Sequence, residues 1–226
     1  MMTDFEKFAV SNGVNSNTLD GYKKKMEKNM NGMISPTILE ERQMNVATMD
    51  VFSRLMGDRI IYLGTDIDSD VANIINAQLL YLNSVDSETD VKLFLNSGGG
   101  SVIDGASIYD TMNWIESDVA TYVVGLAASM ASVLCSSGTK GKRYAMPHSW
   151  IMLHQVSTSN HYQTCADLSI AVEFTKRLQD MTFGMLAENC GKTLEDIKRD
   201  ADRNNWFSAQ EAVDYGLIDE IIKKKK

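Results

Sequence analysis

From about residue 50 onward, apolar positions in this chain alternate between two spacings, one typical of strands and one of helices. Arg59–Leu63 (RIIYL) reads as a buried strand. Val91–Leu95 (VKLFL) reads as a second, with Val91, Leu93 and Leu95 on one face and Lys92 and Phe94 on the other. Val119–Val124 predicts a third strand, Tyr144–Ala145 and Trp150–His154 two short ones, and Ile218–Ile222 a last one. Helical patterns lie between them. Asp68-Ser69-Asp70 supplies helix-start chemistry, and Ile74, Ile75, Leu79 and Leu82 follow on one expected face. A helix is predicted over about Val102 to Glu116, with Ile108, Met112 and Ile115 at helical spacing, and a short, small-residue one over Ser129 to Ser136. A long helical region covers about Thr164 to Asn189 and is closed by Gly191, a residue suited to a left-handed helix end. Thr193 opens a short helix, and Ser208-Ala-Gln-Glu211 is a capping box for the last. Strands alternating with helices predict βαβ units and a mostly parallel sheet, an α/β fold.

Residues 1–45 differ from the rest. They are rich in Asn, Lys, Ser and Met and show little periodicity, which predicts a partly disordered arm or leader. The 226 residues are 44% hydrophobic, enough for a sizeable core in one domain with an appended arm. A net charge of -8 argues against a general phosphate-binding surface, and so against nucleic acid as a partner. Lys223 to Lys226 form a solvated basic tail. The cysteines, Cys135, Cys165 and Cys190, are odd in number and lack metal-site spacing, so neither a disulfide framework nor a metal centre is expected. MMTDFEKFAV is not a signal peptide, and no apolar run approaches the roughly 20 residues that cross a bilayer; a soluble, cytoplasmic protein is expected.

Three features carry candidate chemistry. Gly98-Gly99-Gly100 lies between a strand and a helix, where backbone N–H groups can face an anion or oxyanion, although a plain tight turn reads the same way. Ser129, in Gly125-Leu-Ala-Ala-Ser129-Met130, stands where a strand gives way to a helix N-terminus, the position of a nucleophile or simply of an N-cap. His154 ends an apolar strand, as a general base or as a satisfied core histidine; the other two histidines, His148 and His161, lie in polar loops.

Taken together, Asp58–Gly64, Val71–Leu80, Ser107–Met112, Ala127-Ala-Ser129-Met130, Lys140–Ala145, His154-Gln155 and Glu211–Asp219 closely resemble the ClpP family, the proteolytic subunits of ATP-dependent Clp proteases, over about three quarters of the chain. The resemblance implies a crotonase-like fold of repeated ββα units with a protruding helical handle region. It also implies a Ser-His-Asp triad in which the serine falls on Ser129 and the histidine on His154. The backbone N–H groups of Gly100 and Met130 would be the oxyanion donors. It further implies two stacked heptameric rings, a homo-oligomeric tetradecamer, with Thr164–Asn189 as the ring–ring contact. Unfolded polypeptides would come from an AAA+ unfoldase such as ClpX, which uses the ATP; the chain itself would need no cofactor. On this reading residues 1–45 are leader and axial-pore arm, with the pore loop at about Ile34 to Asn45 and a cut near Met33. Residues 46–222 form the peptidase domain, and Phe94, Trp114 and Tyr122 an unfoldase docking pocket.

The sequence departs from the family pattern in three places. Gly98 stands where the family usually has proline, and His154-Gln-Val replaces a His-Gln-Pro stretch. The triad aspartate falls on Asn204, within Asp200-Ala-Asp-Arg-Asn-Asn-Trp-Phe207. An Asn carbonyl oxygen can accept the imidazole Nδ1–H but cannot stabilise imidazolium by charge; the analogous Asp-to-Asn change elsewhere costs ~10⁴ in kcat. Asp200 or Asp202 would substitute only through a register shift. Two rival readings follow, a crotonase-fold enzyme acting on acyl-CoA thioesters and, because of Asn204, a non-catalytic ring subunit that needs an active paralogue.

Overall fold

The computed structural model of the chain describes residues 37–42, 45–158 and 164–223. The expected leader with its cut near Met33, the last three lysines and His161 lie outside the described residues. The chain divides into two units, residues 1–54 and 55–226. In the first, β1 (Thr37–Arg42) and β2 (Asn45–Asp50) pair antiparallel as a hairpin, of which β1 falls within the segment read as showing little periodicity. A short helix, α1 (Val51–Gly57), follows.

The second unit is built on a seven-stranded sheet. β3 (Ile60–Leu63), β4 (Val91–Ser97) and β5 (Val119–Ala128) run parallel, and β5 then serves two partners. Its residues Thr121–Val123 pair with β6 (Arg143–Ala145), which continues to β9 (Glu220–Ile221); its last residues, Leu126–Ala128, pair with β7 (Trp150–Leu153). β8 (Asn205–Ser208) adds to β7 antiparallel, the one antiparallel pairing of the sheet among the described residues. This branching of β5 creates the edge at which the candidate site sits.

The connecting helices are α2 (Ser69–Val85), α3 (Val102–Trp114), α4 (Met130–Ser136), α5 (Cys165–Cys190), α6 (Leu194–Asp200) and α7 (Ala209–Tyr215). The predicted starts are present. Asp68 accepts a bond from Val71 N–H, Thr193 caps α6, and Ser208 with Glu211 forms the reciprocal capping box. Gly191 closes α5 in the left-handed region. The core face of α2 is Ala72, Ile75, Leu79 and Leu82, while Ile74 is 59% exposed, which corrects its expected place on that face. One residue's offset turns a side chain about 100° around the helix. Among the described residues no helix is long and apolar enough to cross a membrane.

Arg143 ties the far end of the unit together. Its side chain is 3% exposed and bonds the carbonyls of Ser136, Asn189 and Gly216, at the C-terminal ends of α4, α5 and α7. Its partner is Asp219, bound through Nε at 2.9 Å and through Nη2. A guanidinium at three helix C-termini also meets three favourable dipole ends. Partial burial opposes the Asp219 charge, but the Arg143 bonds and charge, helped by the N–H groups of Arg143 and Gly141, outweigh it and hold the carboxyl below its ordinary value. A depressed folded-state pKa contributes stability that is present above the unfolded value of about 4 and is lost as pH falls below it. Asp219→Ala, which strands a buried charge, is expected to lower unfolding stability by about 3 kcal/mol at neutral pH. Denaturant melts should show the gap between the two proteins narrowing as pH drops below about 4.

Candidate active site

Ser129 stands at the junction of β5 and α4 with φ 55° and ψ -127°, a backbone conformation that residues with a side chain adopt only under strain. Its N–H is held by Met152 O of β7 at 2.9 Å, and its carbonyl accepts the N–H and hydroxyl of Ser132. Although Ser129 occupies the N-cap position, its side chain makes no cap bond. The N-cap alternative raised by the sequence therefore fails: Oγ does not satisfy the helix end as an ordinary cap would. Such a strained strand-to-helix turn is the means by which other hydrolases present a nucleophilic serine.

The glycine turn is built against this serine. A Cβ on Gly99 would lie 2.6 Å from Ser129 Cβ and 2.7 Å from Ala128 O, and Gly99 has φ 101°. A Cβ on Gly100 (φ 143°) would lie 2.2 Å from Ile67 O, because Ile67 straps the loop by bonding Gly99 O at 2.7 Å and Ser101 N–H at 2.8 Å. Those bonds leave Gly100 N–H without a recorded acceptor among the described residues. Met130 is the first residue of α4, so its N–H has no intrahelical acceptor either. Its side chain is buried against Gly105 of α3, which anchors that end of the helix. Gly98 differs from its neighbours: a Cβ there meets only Asp66 Oδ1, at 3.3 Å. Its replacement of the family's proline removes no contact that the site needs.

One cavity gathers Gly100, Ser129, Met130 and His154, the last directly after β7 and half-buried. Val102, Val133, Leu153, Phe183 and Leu186 make its apolar wall, suited to an apolar substrate side chain. Asn204 does not line the cavity and is exposed. β7 and β8 pair Met152 with Trp206 and Leu153 with Asn205, where the ladder ends; His154 and Asn204 each lie one residue beyond that last pair, with no hydrogen bond joining their side chains. Neither aspartate is placed to substitute: Asp200 bonds Tyr215 Oη at 2.9 Å and Arg199 Nε at 3.0 Å, and Asp202 bonds Gln155. No cysteine lines this cavity, and Cys165 is exposed on α5. Burial pushes Cys135 far up and Cys190 up to about 11. His148 is exposed in a loop.

Elsewhere, Phe94 and Tyr122 stack at 4.6 Å, and Tyr144 continues the row at 5.0 Å from Tyr122. Tyr62 is paired with Phe94 in register. The sequence reading missed Tyr62 and Tyr144, whose signal was a match of position across strands rather than within one. Trp114, 74% exposed at the end of α3, is not among the rings of that stack. The first half of α5 exposes Leu168, Ile170, Val172 and Phe174; only Thr182, Phe183 and Leu186, nearer its end, are buried. Core packing among the described residues therefore does not account for those four apolar side chains.

The Clp protease family profile matches residues 42–225. The chain is 50% identical over 226 residues to the ATP-dependent Clp protease proteolytic subunit of Porphyromonas gingivalis, covering all of both chains. It is 48% identical to the subunit of the same name from Bacteroides fragilis over 99% of this chain and 100% of that one. It is 47% identical to that of Ligilactobacillus salivarius over 84% of this chain and 96% of that one.

The geometry separates the three glycines. Gly99→Ala is expected to displace Ser129 and lower peptide turnover by at least about 100-fold, the scale on which a 1 Å misplacement acts. Gly98→Ala should stay within about threefold of the parent, since its new methyl meets one movable carboxylate; steady-state assays on both variants check this.

Proposed function

The chain belongs to the Clp protease family and is a serine peptidase, and we propose that Ser129 is its nucleophile, His154 its general base and Asn204 the group that orients the base. In this mechanism His154 takes the Ser129 hydroxyl proton as Oγ attacks a peptide carbonyl. The N–H groups of Gly100 and Met130 receive the oxyanion, each donor contributing about 3 kcal/mol to the transition state. His154 then protonates the leaving amine, and water, activated by the same ring, hydrolyses the acyl ester. Asn204 accepts the Nδ1–H and so fixes the tautomer that leaves Nε2 facing Ser129. The observation that carries this reading is the convergence of a strained, uncapped serine, two free N–H donors and a histidine on one cavity.

The substrates in this reading are unfolded polypeptides passed on by an AAA+ unfoldase such as ClpX. The names of the relatives, proteolytic subunits of an ATP-dependent protease, support such a partner. ATP is then used by the unfoldase, and this chain carries no cofactor. The aromatic row through Phe94 and Tyr122 supports a docking pocket for an apolar segment of the unfoldase; the exposed Trp114, outside the row, is the third residue of that reading. The exposed apolar stripe on α5 supports a contact between two heptameric rings, and a net charge of -8 suits a cytoplasmic assembly. Residues 1–45 serve as leader and axial-pore arm, residues 46–222 as the peptidase domain.

Two variants test the reading together. Ser129→Ala should abolish both peptide turnover and unfoldase-dependent degradation of an unfolded protein. Asn204→Asp should raise turnover by one order of magnitude or more, out of the ~10⁴ that the reverse change costs in a related triad. A fall in turnover on introducing the aspartate would contradict the role given to Asn204.

A further inference from the structure

We propose that Gln155 is a positioning residue that holds Asn204 in register with His154, an inference that rests on the triad reading above. The β7–β8 ladder ends at Leu153 and Asn205, and His154 and Asn204 lie one step beyond it. What joins the two segments past that point is the Gln155 side-chain amide. Its Nε2 donates to Asp202 O at 3.1 Å and to Asp202 Oδ1 at 2.7 Å. One nitrogen with two hydrogens thus grips the backbone and the side chain of a residue two positions before Asn204. Arg203 Nη1 donates to the same Asp202 carbonyl at 2.7 Å. On the His154 side, Val156 N–H bonds Gln179 Oε1 of α5 at 3.3 Å, so the segment after β7 is pinned at two successive residues.

Such a clamp matters more here than it would with an aspartate. A carboxylate attracts an imidazolium by charge from a range of positions and offers two equivalent oxygens. A neutral amide has one acceptor oxygen and no net charge, so the bond to Nδ1–H depends on where the backbone puts it. Asn204 is exposed, and among the described residues its side chain makes no hydrogen bond that would fix its orientation. On the N-terminal side of Asn204, the Gln155–Asp202 bridge is what ties its segment to the one that carries His154.

The test is a double-mutant comparison on the assembled protein with a short fluorogenic peptide. Gln155→Met keeps the side-chain length but cannot donate; Gln155→Ala removes the side chain, and if it fails to assemble the Met variant carries the test. Each is expected to lower kcat about 10-fold with KM within about twofold. In the Asn204→Asp background the same substitutions should cost less than about threefold, because a charged acceptor aligns without the clamp. An equal loss in both backgrounds would mark a merely structural residue and overturn the proposal, as would unchanged kcat or an effect on KM alone. Turnover that survived Ser129→Ala would overturn the triad reading and this inference with it, whereas an unaffected Gln155→Met in a Ser129-dependent enzyme would overturn the inference alone.

Discussion

The backbone of Ser129 is the constraint on which the rest of the site depends. At φ 55° and ψ -127° it holds a conformation that costs a residue with a side chain on the order of 1–3 kcal/mol. The surrounding sheet enforces it: Met152 of β7 takes the Ser129 N–H, and Gly99 closes the space behind Cβ. The turn frees Oγ from capping α4 and sets Met130 N–H at the start of that helix, on the same cavity as Gly100. Each of these would be lost if the residue relaxed into an ordinary N-cap.

The sheet's branching supplies the second requirement. Because β5 gives its middle to β6 and its end to β7, the strand that carries His154 lies beside the strand that carries Ser129. β8 then adds to the far edge of β7, and His154 and Asn204 each lie one residue beyond the end of that pairing. In the proposed triad an amide in that position leaves orientation to backbone geometry rather than to charge. At the far end of the unit Arg143 and Asp219 fix the C-terminal ends of three helices.

Much of this was legible in the sequence because the signals were local. Capping residues marked helix starts at Asp68, Thr193 and Ser208, Gly191 marked the end of α5, and alternation in VKLFL separated the two faces of β4. Motif resemblance assigned Ser129, His154, Gly100 and Met130, which the structure gathers at one cavity. What was not legible depended on tertiary pairing. β8 is only four residues, Asn-Trp-Phe-Ser, and exists through its ladder with β7. Ile74 was assigned to a buried face that ran one residue too wide. The positive φ of Ser129 has no residue-type signature, since serine gives no hint that glycine geometry is needed there. The Gln155–Asp202 bridge spans 47 residues and joins two loops, so no periodicity announces it.

The central claim is that a strained, uncapped Ser129 is an activated nucleophile served by His154. The most direct measurement is covalent labelling of the purified, assembled protein with a fluorophosphonate, followed by peptide mass analysis to locate the adduct. The account predicts a single modified peptide with the adduct on Ser129, formed slowly in His154→Ala and absent in Ser129→Ala. An adduct on another residue, or labelling of Ser129 at an undiminished rate without His154, would contradict it.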